Sequence, residues 1–195
     1  MTELTQRRDV PGWASPRRAW IALGVLLACL AALMLADRWL ESHTGLPVGL
    51  PMSADATKPD LLFGYGAADL DALFTAYGEG GRRAYAVGLV VDTIYPLALA
   101  AATVLLAARA LPRSARWLWA FPITFAVLDV IENLGFGVAL ATYPQTLDGL
   151  VAALSPITQA KLLSFPPTVA VLLTSAGLLS WRWFRDRRDA PHRSL

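Results

Sequence analysis

Asp129, Glu132 and Asn133 stand at i, i+3 and i+4 in a stretch from Trp117 to Tyr143 that holds no other charge. On a helix that spacing gathers two carboxylates and an amide on one face. Asp92 is the only charge between Arg83 and Arg109, and Lys161 is the only one between Asp148 and Arg182, with Ser164 and Thr168 on the same helical face. A carboxylate or ammonium in apolar surroundings costs several kcal/mol unless it is paired or neutralised, so these residues must serve something. Paired carboxylates of unequal proton affinity suit general acid and base catalysis, which makes Asp92 and Glu132 the candidate catalytic pair. Asp129, Asn133, Lys161, Arg82, Tyr85 and Ser164 are the candidate binding residues. Charge balance is expected from Lys161, Arg82 and Arg83 facing the acids, or from one carboxyl keeping its proton. A plainer use of the same residues stays open: Asp92 as a hydrogen-bonding link between helices, Lys161 snorkelling to the interface, and Arg82 and Arg83 as lipid anchors.

The elements that must position these groups follow from composition. The chain has 195 residues, 55% hydrophobic and 16% charged, with a mean hydropathy of +0.46. That is too apolar for one soluble domain and excludes a disordered chain, a nucleic-acid module and a disulfide scaffold. A bilayer core takes about 20 helical residues to cross. Four stretches qualify, at about residues 19–40, 84–108, 117–143 and 157–181, within one membrane domain over residues 1–195. The expected fold is therefore all-α, a polytopic bundle of four transmembrane helices. At 1.5 Å per residue, Asp92 lies about 13 Å below the outer boundary, Glu132 about 16 Å and Asn133 about 15 Å. Lys161 comes out near 6 Å and Asp129 near 21 Å. Pro96 cannot donate to the carbonyl of Asp92, and Pro166 and Pro167 release those of Leu162 and Leu163, so backbone acceptors open beside the acids and Lys161.

Arginines set the orientation, since positive flanks stay cytoplasmic. Arg7, Arg8, Arg17 and Arg18 precede the first span, Arg109, Arg113 and Arg116 fill the second connection, and Arg182, Arg185, Arg187, Arg188 and Arg193 follow the fourth. Both termini are expected in the cytoplasm, in a multi-pass protein of the plasma (inner) membrane. Arg38, Lys58, Arg82 and Arg83 dissent, in or beside a long outer loop that weighs less in this rule. The first span is longer than a signal-peptide core and reads as a retained anchor.

In that outer loop, residues 41–64 read as irregular chain without nameable chemistry. Leu70, Leu73, Phe74 and Tyr77 then fall at i, i+3, i+4 and i+7, a short amphipathic helix over about 67–77 that caps the bundle or lies on the outer surface. Gly78, Gly80 and Gly81 are expected to end it. The GEGGRR run at 78–83 lacks the lysine and hydroxyl of a phosphate loop and reads as a helix connection. Gly135 and Gly137 suit close helix packing. A single cysteine, Cys29, and two histidines, His43 and His192, on opposite sides of the membrane leave no metal site, and no cofactor is expected.

Three uses fit this arrangement. One is an outer-half polar pocket that binds a lipophilic molecule from the bilayer, with isomerase or cyclase chemistry. Another is a non-enzymatic scaffold or assembly factor whose polar faces hold helices or a membrane partner. The third is a proton-coupled carrier, which with four spans would need a homo-oligomer. Nucleic acid is not an expected partner.

The set G-R-x-x-Y at Gly81, Arg82 and Tyr85, Asp92 with Pro96, and D-x-x-E-N at Asp129, Glu132 and Asn133 resembles a pattern in small uncharacterised bacterial four-helix integral membrane proteins. It covers Ala67 to Gly137 and implies a site at these residues without naming its activity. In layout alone the chain also resembles the sterol isomerase and sigma-2 receptor family, none of whose residue motifs is intact here.

Overall fold

The computed structural model describes residues 10–49, 51–52, 56–145 and 147–188; Arg7, Arg8, His192 and Arg193 lie outside them. It is an all-α bundle of four long helices, each long and apolar enough to cross a membrane. Helix α1 (Pro16–Thr44) starts where Ser15 accepts a hydrogen bond from the Arg18 amide, with Pro16 as its first residue, and ends on Gly45 at φ +68°. Both ends follow the usual preferences for capping residues. Helix α2 spans Ala67–Ala110, α3 Ala120–Thr142 and α4 Asp148–Arg188, with short 3₁₀ turns at Pro59–Leu61 and Arg113–Trp119. Each expected span falls within one of these helices or the 3₁₀ turn that leads into it, apart from Tyr143, which caps the end of α3.

The amphipathic segment forms the first part of α2. Its amide at Gly66 donates to Asp69 Oδ2, and Leu70, Phe74 and Tyr77 are buried while Leu73 is half-buried. Gly78 alone breaks the helical path, at φ +60° and ψ −173°, a conformation essentially confined to glycine. Gly80 and Gly81 do not end the segment. They begin the next stretch of helix and let α1 approach, since a methyl on Gly81 would lie 2.6 Å from Thr44 and one on Gly80 3.0 Å from His43. Gly135 likewise has no room for a side chain against Leu154, whereas Gly137 faces open space and is not a packing glycine.

Helix α4 corrects the expected outer connection. It begins at Asp148 rather than near Ile157 and runs through Pro156, Pro166 and Pro167. A proline removes one hydrogen bond and does not by itself stop a helix whose neighbours hold it. Lys161 therefore lies thirteen residues into α4, about 20 Å from its start, and not near the interface.

The buried apolar side chains form two clusters. One holds Leu40, Leu89, Phe136 and Leu154 with the loop residues Val48 and Tyr65, and the other holds Leu26, Leu99 and Phe125, with Phe165 against it. On α2, α3 and α4 the buried charged residues fall in chain order between the two clusters. A polar layer is thus enclosed above and below by apolar packing.

Candidate functional site

Lys161 organises the layer. Its ammonium donates to Glu132 Oε2 and lies 3.2 Å from Asp129 Oδ1, tying α4 to α3. All three side chains are almost fully buried, Glu132 completely. Lys161 and Asp129 are therefore at one level, not some 15 Å apart as the rise per residue from the span ends suggests. The early start of α4 is the physical reason. Asn133 Nδ2 donates to Asp129 Oδ2 at 3.1 Å, so the i, i+3, i+4 face of α3 is buried as one unit.

Glu132 is also tied to the outer loop. Thr158 donates its hydroxyl proton to Glu132 Oε1, and the Tyr65 hydroxyl lies 3.0 Å from the same threonine oxygen. A hydroxyl has one proton to give, so Tyr65 is the donor in the second bond. Burial pushes the Tyr65 phenol up, which keeps that proton in place. The result is a directed chain, Tyr65 to Thr158 to Glu132, with Lys161 and Asp129 beyond it. The Tyr65 amide donates to Ser155 Oγ at 3.1 Å, fixing the loop on α4.

The loop brings charges of its own, against the expectation that residues 41–64 carry no chemistry. Lys58 and Asp60 are buried, with the Lys58 ammonium 3.3 Å from Asp37 Oδ1 and 3.4 Å from Asp60 Oδ2. Burial disfavours the Lys58 ammonium, but the charges of Asp60, Asp92 and Asp37 outweigh it and hold the group above its ordinary value. Burial likewise pushes the Asp60 carboxyl up, and Lys58 and Lys161 outweigh it, holding Asp60 ionised below the usual carboxylate range. Asp60 and Asp92 thus lie within the fields of both lysines.

Asp92 is buried on α2, and among the described residues it makes no ion pair within 4 Å and no side-chain hydrogen bond. Tyr85 is buried two helical turns earlier on α2, in ring contact with Phe74, Tyr77 and Phe136, and its hydroxyl has no partner among the described residues. Asn133 Oδ1 and Asp60 Oδ1 are buried without a partner as well.

Two expected binding residues are placed elsewhere. Arg82 does not reach the acids. Its Nη1 donates to the Phe74 carbonyl at 2.9 Å and its guanidinium stacks 4.6 Å from the Tyr143 ring centre. Phe74 lies four residues before the break at Gly78, so the arginine reaches back across the break to the carbonyl of the preceding helical stretch. Ser164 is half-buried and returns its hydroxyl to the Lys161 carbonyl at 2.7 Å, not to a carboxylate. Arg83, also expected to face the acids, pairs with Glu79 on the exposed surface.

Four buried carboxylates, Asp60, Asp92, Asp129 and Glu132, thus share the layer with two ammonium groups, Lys58 and Lys161. An excess of buried anions has to be balanced by protons or by a bound donor, because each uncompensated charge costs several kcal/mol. Chemically, the arrangement can hold and exchange protons inside a membrane-spanning bundle. Among the described residues no group of three or more His, Cys, Asp or Glu side chains is placed to hold a metal ion. Compared with protein-family models, curated proteins and solved structures, the chain matches none of them.

Proposed function

We propose that the protein binds a lipophilic molecule in this outer-half polar site and exchanges protons with it, in the manner of an isomerase or cyclase acting on an isoprenoid or lipid. One observation carries the reading: an enclosed layer with more carboxylates than cations, in which Asp92 makes no direct ion pair among the described residues. Asp92 is then the group that reaches the ligand. Glu132, held by Lys161 and fed by the Tyr65 and Thr158 hydroxyls, is its partner, able to take up or return a proton. Moving a double bond needs one proton added at one carbon and one removed at another, so two such groups suffice without an oxidant or co-reactant.

Native mass spectrometry of the detergent-purified protein tests this. Wild type should carry a bound small molecule, and Asp92→Asn should lose it by about tenfold or more while keeping its melting temperature, because Asp92 holds no other side chain. An empty wild type, or an Asp92→Asn variant that keeps the molecule, would refute the assignment.

The scaffold reading has its own support in Lys161, which ties α3 to α4, and in Lys58, which ties the loop to α1. It predicts loss of stability or of a partner subunit in Asp92→Asn, with no bound molecule in either protein.

The arginine pattern supports a plasma-membrane protein with cytoplasmic termini. In a Cys29→Ala background, Gln145→Cys should react with a membrane-impermeant maleimide on intact cells, and Arg185→Cys only after permeabilisation. The opposite pattern would invert the topology.

A further inference from the structure

Lys58 bears on the kind of head group the site accepts. Its ammonium occupies the position between Asp37 and Asp60, at 3.3 and 3.4 Å, with the Asp92 charge acting on it as well. Two carboxylates facing one point make a natural seat for an ammonium ion, and the chain seats its own there. Among the described residues, three of the buried polar atoms without partners are of a different kind. The Tyr85 hydroxyl can donate, whereas Asn133 Oδ1 and Asp60 Oδ1 can only accept. Each belongs to a residue at least nine-tenths buried, and Asp60, Glu132 and Asp92 all act electrostatically on the Tyr85 hydroxyl.

A hydroxyl head group accepts one hydrogen bond and donates one, which matches a set of buried groups that includes both an unpartnered donor and unpartnered acceptors. An ammonium can only donate, and its seat is taken. A carboxylate or phosphate would enter a layer that already holds four buried carboxylates, where like charges repel. Resting on the reading of this layer as a lipophilic-ligand site, we propose that the ligand is an uncharged lipid alcohol, and that Lys58 is the specificity residue that excludes amines by filling the ammonium position between Asp37 and Asp60.

Two probes of equal chain length, dodecanol and dodecylamine, separate the possibilities. Protein in nanodiscs is equilibrated with each, and probe retained per chain is quantified by mass spectrometry, with folding followed by thermal unfolding. Wild type should retain the alcohol about tenfold or more over the amine. Lys58→Gln opens the ammonium seat and should reverse that preference, while Lys58→Arg keeps the charge and should preserve it. If Lys58→Gln fails to fold, Lys58→Met serves, since its unbranched stem keeps the packing. A wild type that retains the amine as well as the alcohol, or a Lys58→Gln protein with an unchanged ratio, overturns the role of Lys58 while leaving the pocket standing. Retention of neither probe by any folded variant overturns the pocket, and this inference with it.

Discussion

Lys161→Met should destabilise the protein by about 3–5 kcal/mol, the cost of removing one partner from a buried ion pair. The magnitude follows from what remains. Asp129 would keep only the Asn133 amide and Glu132 only the Thr158 hydroxyl, with no cation in contact with either. Removing the charge on the other side reverses much of the loss, so Lys161→Met with Glu132→Gln should be more stable than Lys161→Met alone. The pair of substitutions forms half of a double-mutant cycle, which reads the coupling directly. Reversible unfolding in mixed micelles is the measurement. A Lys161→Met protein within about 1 kcal/mol of wild type would mean that the ion pairs are not enclosed as described.

Gly78→Ala should cost about 1–3 kcal/mol, because a Cβ is strained at φ +60° and ψ −173°. The effect reaches the site through the residues that Gly78 positions. Tyr77, one residue earlier, donates its hydroxyl to the Thr57 carbonyl, next to Lys58 in the chain, and Phe74 gives its carbonyl to Arg82. Straightening the break would move both, so Gly78→Ala should also weaken ligand retention, whereas an exposed substitution such as Thr75→Ala should cost less than about 1 kcal/mol. Thermal unfolding of both variants decides the matter, and equal melting temperatures would show that the break is not held at glycine.

The four spans are legible in the sequence because bilayer thickness imposes a length that uncharged runs must meet, and the chain meets it four times. The face of Asp129, Glu132 and Asn133 is legible for the same kind of reason, since helical spacing is local. Lys161 shows where local reading ends. Its place on a polar face of α4 can be read, but its depth depends on where the helix starts, and Pro156 looks like a boundary while lying inside the helix. The place of Arg82 is not legible because its partner is a backbone carbonyl on the far side of a glycine break, which no side-chain pattern displays. Lys58, Asp60 and Tyr65 are the larger omission. They reach the layer through a loop, and the Tyr65 to Thr158 contact joins residues 93 apart in the chain. One signal was present: Lys58 departs from the positive-inside pattern, in a chain that otherwise uses lysine once, at Lys161. A cation on the wrong side, followed directly by Pro59 and Asp60, is the mark of a residue held by an acid rather than by the cytoplasm.

The most direct test of an interior ligand site is photolabelling in membranes with a lipophilic probe that carries a diazirine next to its head group. Adducts mapped by peptide mass spectrometry should fall on buried residues around Asp92, such as Tyr85, Leu89 and Phe136, and should disappear in Asp92→Asn. Adducts confined to the exposed outer surface of the helices, at Val90, Ile94 and Leu134, and unchanged in Asp92→Asn, would place the molecule in the surrounding lipid and contradict a site within the bundle.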